Sequence, residues 1–498
     1  MSALARWFRA NGHEVSGYDK TRTPLTDALT AEGIVIHYED TIDSIPAPVR
    51  AHRDQTLVVL TPAIPKDHQE WAWLRAEGYD IRKRSQVLGL LTAGRYTIAV
   101  AGTHGKTTTS SMVAHLLHHA GLDCAAFLGG ISVNLGSNLL LPSSSGPTNS
   151  PEGFVEPLSL NEATRPAAIS NYSGTTTEKS SSITSTTAPV VVEADEYDRS
   201  FLTLHPDVAV ITSTDADHLD IYGTKDALID SFRQFAGQIK PGGTLLLNHT
   251  ADASVAAAVP AGVRVLRYGL EKNQEAELYA EHVTAEGHQF HFDLHSPLGA
   301  VPGLELAVPG FHNVENMLAA ACVAQLQGVA AEPLRAAVAA YRGVKRRFEF
   351  IVTAAGREGQ QKVYVDDYAH HPREIEAFLR SLRALYPGKR LRVVFQPHLF
   401  TRTRDFLASF AESLSLADEV VLLDIYPARE LPLPGVTSAL LLDLITAPQK
   451  SLQTKEEVLA AAETDDFDVL ATVGAGDIDQ LVPRLQKILT TRWNGAEA

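Results

Sequence analysis

The chain has 498 residues, more than one compact core accommodates, so roughly two to four domains are expected. Its 43 Lys and Arg face 59 Asp and Glu, a net charge of -16, which argues against a general binder of nucleic acid or acidic membranes. Cys124 and Cys322 are too few for a disulfide framework or a zinc cluster, and no apolar run reaches bilayer length, so the sequence reads as soluble and cytoplasmic, with no membrane insertion.

Residues 2–19, "SALARWFRANGHEVSGYD", read as a helix, a Gly turn and a strand, and "TLVVLTPAI" as a second, buried strand. A doubly wound domain normally opens with a strand and a Gly-rich turn, whereas this chain starts in the helix, which points to a segment in front of Met1. "RYTIAVAGTHGKTTT" begins a second region: a strand, a loop and a helix running to about His119. "APVVVEADEYD", "VAVITSTDADHLD" and "GTLLLN" follow as strands ending in polar residues, the ends at which open α/β sheets bind ligands.

Residues 277–308 alternate as a small antiparallel excursion, and "FHNVENMLAAACVAQ" returns to a helix. From about Tyr341 the α/β theme repeats in "KVYVDDYAHHP", "RLRVVFQPH", "EVVLLDIYPARE" and "FDVLATVGAGD". The expected architecture is α/β, three consecutive α/β domains at 1–93, 94–340 and 341–498. A Ser/Thr/Pro/Gly-rich stretch at 141–188 has too little apolar surface to order itself and is expected to be a mobile surface insertion.

Four groups of residues bear on chemistry. Val100 stands where a strict P-loop has Gly, yet Gly102-Thr103-His104-Gly105-Lys106-Thr107-Thr108 keeps the physics of phosphate binding: exposed backbone N–H groups, a helix N-terminus, a lysine and hydroxyls for Mg²⁺. A Gly turn with a solvated lysine is the competing reading. Glu193, Asp195 and Glu196 emerge where "VVVEADEYD" leaves its strand, suiting a hard cation, although acidic loops are common. His218, between Asp217 and Asp220, lies at the end of a strand expected beside the Glu193 strand, as ligand, base or structural residue.

The fourth group is Asp366, Asp367, His370, His371, His398, Arg346, Arg347, Arg402 and Arg404, which converge if their strands are adjacent. Arginines in such a cluster favour a carboxylate or phosphate, unless Arg346 and Arg347 form only a solvated patch.

"GTHGKTTT", "VVEADEYDRSFLTLHPD", "DADHLDIYG", "GFHNVENMLAAA", "KRRFE", "DDYAHHPREI" and "QPHLFTRTRDF", in that order, resemble the Mur ligases of peptidoglycan synthesis over nearly the whole chain. The resemblance implies a Rossmann-like UDP-sugar-binding domain, a P-loop ATPase domain with a mostly parallel sheet, and a Rossmann-like carboxyl-terminal domain that receives an amino acid. It implies ATP and Mg²⁺ as cofactors and UDP-N-acetylmuramate and L-alanine as substrates, joined through an acyl phosphate. Lys106, His218, Glu193, Arg347 and Arg402 are then the catalytic set. Gly102 to Thr108, His312, Asn316 and Asp367 are the ATP set, and Thr107, Glu193 and His218 the metal set.

Thr61, in a uridine-domain loop "TPAI", Asn134 in "GGISVN", and His370, His371 and His398 are the implied substrate contacts. The chain differs from the family pattern in its start, in the length of the 141–188 insertion, and in Leu399 where Arg is common after "QPH". A tripeptide-recycling member of the family, a catalytically silent nucleotide-binding regulator and a small-molecule kinase are the alternatives.

Overall fold

The apolar run before the glycine loop forms a strand, Thr97–Ala101, buried along its whole length. Burial on both faces is what the middle of a parallel sheet demands. Thr97–Ala101 pairs in parallel with Val190–Glu193 on one side and Val208–Ile211 on the other. The seven-stranded sheet continues from Val208–Ile211 through Thr244–Asn248 to Arg264–Tyr268, and from Val190–Glu193 through Ala125–Ser132 to the antiparallel edge strand Ser137–Leu140. The His218 strand is therefore not beside the Glu193 strand: the loop-bearing strand lies between them, and the two acidic strand ends flank the loop.

Successive residues of the central strand serve opposite faces. Val100 joins Met112 and Leu116 of helix Lys106–His119 and Val314 and Leu318 of helix Phe311–Leu326 in one core. Ala99 and Ala101 join Phe232 and Phe235 of helix Lys225–Ala236, with Leu4 of helix Ser2–Ala10, in the other. The alternating segment forms the expected antiparallel sheet of Tyr279–Glu286, Gln289–His295 and Val301–Leu306.

This computed structural model describes residues 1–61, 64–65, 67–142, 188–272, 276–286, 289–355, 361–428 and 430–494. Nearly all of the expected insertion thus lies outside the described residues. A third body of structure is a six-stranded sheet ordered Glu349–Ala355, Gln361–Asp367, Val469–Val473, Leu391–Phe395, Glu419–Leu422 and Gln449–Leu452, parallel except for its first pair. The "DDYAHHP" and "QPH" strands are accordingly separated by Val469–Val473 and are not adjacent, although their carboxyl ends open on the same side.

At the amino-terminal end, Ser16–Tyr18 pairs in parallel with Val35–His37, and Leu57–Leu60 with Asp80–Lys83. With one partner strand each, these are half-buried, so the expected buried strand at Leu57–Leu60 is less enclosed than its apolar sequence suggests.

Candidate active site

Gly105 caps helix Lys106–His119 at φ +78°, the left-handed region that favours glycine, and Gly102 turns at φ +131°. A Cβ at Gly105 would lie 2.7 Å from Asn316 Oδ1, so the turn is pressed against helix Phe311–Leu326, and Asn316 abuts the loop directly. The first N–H groups of helix Lys106–His119 and its dipole are therefore presented at the carboxyl edge of the sheet, the geometry that binds phosphate. Thr103 Oγ1 is 2.8 Å from Ser213 Oγ and Thr103 N donates to Ser213 O at 3.1 Å, tying the loop to the neighbouring strand end. Thr108 is buried beneath it.

Lys106 Nζ donates to Gly102 O at 2.7 Å and lies 2.7 Å from Glu196 Oε2, not Glu193. Glu196 is fully buried. Burial opposes charge on both groups, yet Glu196 and Asp195 hold Lys106 above its usual value, whereas burial outweighs Lys106 at Glu196 and lifts that carboxyl to about 7. The ammonium is thus the firm charge of the pair.

Glu193 accepts the N–H of Gly129 at 2.9 Å. A Cβ at Gly129 would lie 2.3 Å from either Glu193 oxygen, and one at Gly130 3.0 Å from Thr107 Cγ2, so the absence of side chains at this pair leaves room for Glu193 and for Thr107. Their oxygens have the hard-donor chemistry of a Mg²⁺ site, which needs only one or two protein oxygens beside phosphate and water. Among the described residues no group of three or more His, Cys, Asp or Glu is arranged to hold a metal. His218 stands at φ +53°, 3.7 Å from both Glu196 and Asp217, and burial lowers its pKa.

The third sheet brings its strand-end residues onto this loop. Arg402 donates to Asp217 at 3.1 Å in a buried pair, and Arg373 lies 2.7 Å from Asp215. His104 Nδ1 is 3.2 Å from Glu374 Oε1, and the rings of His104 and His371 are 4.6 Å apart. His370 and His398 have ring centroids 6.3 Å apart, and His398 stacks on Tyr426 at 5.7 Å. Burial lowers His370 to about 3 and His371 to about 4, so both are neutral imidazoles at pH 7.

The expected arginine cluster is resolved into acid pairs. Arg346 binds Asp366 at 3.0 Å, while Arg347 lies 3.9 Å from Glu374 and over the Tyr368 ring. Arg404 is exposed and bonds its chain neighbour Asp405 at 2.7 Å. Asp367 accepts backbone N–H groups from Phe348 and Ala369, both at 2.7 Å, and so shapes the chain around the strand end. Leu399 is buried at φ +73°, its side chain turned into the protein.

His312, on the helix of Asn316, is half-buried with Nδ1 unpartnered. Asn134 uses its amide on the backbone of Ala340 and Arg342, at 2.8 and 2.7 Å. Thr61 ends strand Leu57–Leu60 half-buried, and Pro62 and Ala63 of its loop lie outside the described residues. A cleft of about 240 Å³, lined by Lys83, Arg84, Glu193, Asp195 and Tyr197 among others, joins the amino-terminal strands to the Glu193 strand end. Asp215 and Glu374 were not singled out as site residues by sequence, and Glu196 was named only with Glu193 and Asp195 as an acid suiting a cation, not as the partner of Lys106. The four acids in "EADEYD" look alike until Glu196 is seen buried on the lysine.

The chain matches a model described as Mur ligase middle domain over residues 100–324, one described as Mur ligase, glutamate ligase domain over 346–476, and one described as Mur ligase family, catalytic domain over 1–96. It is 45% identical over 495 residues to a UDP-N-acetylmuramate–L-alanine ligase of Phocaeicola vulgatus, covering 99% of this chain and 96% of that protein. The solved UDP-N-acetylmuramate-alanine ligase of Thermotoga maritima superposes with a TM-score of 0.75 at 25% identity, covering 99% and 97% of the two chains. A murein peptide ligase of Psychrobacter arcticus shares the fold, with a TM-score of 0.64 at 23% identity and coverage of 99% and 96%.

Proposed function

The chain belongs to the Mur ligase family, and we propose that it uses ATP to join L-alanine to the lactyl carboxylate of UDP-N-acetylmuramate, in the cytoplasm, for peptidoglycan synthesis. The observation that carries this is full-length likeness at 45% identity to a relative named for that reaction. The same likeness favours L-alanine over the recycled tripeptide, because the murein peptide ligase resembles this chain at the level of fold. We assign the UDP-sugar to residues 1–93, the ATP site to 94–340 and amino-acid delivery to 341–498.

A carboxylate resists amine attack because its leaving group is oxide. Its oxygen first attacks the γ-phosphorus of ATP, the bond to the β-phosphate oxygen breaks, and ADP leaves an acyl phosphate. Two anions meet in this step, so charge neutralisation is the main task. Lys106 and the N–H groups of the Gly102–Lys106 turn supply it, and Thr107, Glu193 and His218 are the residues that would hold Mg²⁺, which adds further neutralisation when bound.

The alanine amine then attacks the carbonyl carbon, phosphate departs, and the amine gives up a proton. A neutral imidazole can accept it: His370 and His371 are kept neutral by burial, and so is His218, which can serve only when not committed to the metal. His312 and Asn316 take the adenine side of ATP. Arg347 and Arg402 orient the reacting groups, with Asp367, His370, His371 and His398 around them, and Thr61 and Asn134 are assigned to the UDP-sugar. Water must be kept from the acyl phosphate, which the docking of the third sheet over the loop accomplishes.

Competition of radiolabelled L-alanine against other amino acids and the L-Ala–D-Glu–diaminopimelate tripeptide tests the assignment. Label should enter a UDP-sugar product from L-alanine in preference to all others. Preferential incorporation of the tripeptide overturns it.

A further inference from the structure

Glu374 is part of the capping box of helix Pro372–Leu385, and its two oxygens divide their work. Oε2 accepts the N–H groups of His370 at 3.0 Å and His371 at 3.3 Å, which is all that a cap requires. Oε1 faces the other way: it lies 3.2 Å from the ring of His104, between the two glycines of the phosphate loop, and 3.9 Å from Arg347. One side chain of the carboxyl-terminal domain thus touches the middle of a loop that belongs to the central domain.

We propose that Glu374 is a positioning residue for the phosphate loop, its Oε1 fixing His104, and with it the Gly102–Lys106 turn, when the carboxyl-terminal domain is docked. The neighbouring Arg402–Asp217 and Arg373–Asp215 pairs join the same two domains, and Asp215 also reaches the loop, its N–H on Thr103 Oγ1 at 3.1 Å and its carboxylate 3.6 Å from His104, whereas Glu374 contacts His104 from the carboxyl-terminal domain directly. Burial works against charge on Glu374, yet His370, the His104 hydrogen bond and Arg347 hold it well below the ordinary carboxylate range. At His104, burial is likewise outweighed by Glu374 and Asp215, and the imidazole is raised above its usual value. The contact is therefore charge-assisted, the stronger kind of hydrogen bond.

The inference rests on reading Gly102–Lys106 as a phosphate loop. It is tested by a double-mutant cycle of Glu374→Gln and His104→Gln in the full chain, reading ADP affinity by calorimetry and melting temperature in parallel. Glutamine preserves the cap acceptor, so the melting temperature should hold, while each single change weakens ADP binding about tenfold, as loss of one charge-assisted bond does. The double variant should bind no worse than the weaker single, because both changes remove the same contact. Losses that multiply, or unchanged ADP affinity in Glu374→Gln, overturn the positioning role while leaving the nucleotide site standing. Failure of the unmodified chain to bind ADP would instead remove the phosphate-loop reading, and the positioning role with it.

Discussion

Replacing Lys106 by alanine is expected to cost stability as well as activity, and the two losses can be separated. The ammonium lies 2.7 Å from Glu196 Oε2 and 2.9 Å from Oε1, and the Glu196 side chain is 0% exposed. Removing one partner of such a pair leaves a buried charge uncompensated, at a cost of about 3–5 kcal/mol. In a domain of this size that lowers the melting temperature by roughly 10 °C. Even beside Lys106, burial lifts Glu196 to about 7, and without the lysine it rises further.

A carboxyl whose folded value is raised binds more protons folded than unfolded, so its contribution to stability falls as pH rises. The Lys106→Ala deficit should accordingly be small at pH 5 and grow towards pH 8.5. Adding Glu196→Gln to Lys106→Ala should restore most of the melting temperature and remove its extra pH dependence, with no return of phosphate release from ATP. Melting curves across pH for the three proteins are the assay. A deficit that does not change with pH, or a double variant no more stable than Lys106→Ala, refutes the buried-pair reasoning.

Two further outcomes follow from close contacts and burial. Gly129→Ala places a methyl 2.3 Å from the Glu193 carboxylate, which must retreat by about 1 Å, and misplacement on that scale costs about a hundredfold in turnover. Steady-state kinetics should show that loss at all Mg²⁺ concentrations with little change in melting temperature, and near-normal kcat would remove Glu193 from the site. His115 is 4% exposed, bonds Ala337 O through Nε2 at 2.8 Å, and is lowered by burial to about 4. The unfolded chain protonates it near pH 6.5, so it withdraws about 3 kcal/mol of stability as pH falls to 4. His115→Gln should flatten the acid limb of the stability curve, and an unchanged limb would contradict a buried neutral imidazole.

The glycine turn at Gly102–Gly105 and its strand were legible because glycine chemistry and a fully apolar run act locally. The order of the strands was not. Nothing local distinguishes Val190–Glu193, Val208–Ile211 and Thr97–Ala101 as centre or flank, and the same ambiguity hid Val469–Val473 between the "DDYAHHP" and "QPH" strands. Partner choice was equally hidden. Arg346, Arg347 and Arg402 looked like one basic cluster for an anionic ligand, yet each faces its own carboxylate, Asp366 and Glu374 through the folding of the third sheet and Asp217 through its docking on the central one. Glu374 in "HHPREI" drew no attention in the sequence, and only its second oxygen, on His104 across the domain interface, sets it apart from a helix cap.

The most direct measurement is phosphate release from ATP by the purified chain, with UDP-N-acetylmuramate and L-alanine supplied singly and together, and with Lys106→Ala as control. Release that needs both substrates and disappears in the variant is the predicted result. Release that is indifferent to either substrate, or ATP binding with no release at all, would contradict the ligase.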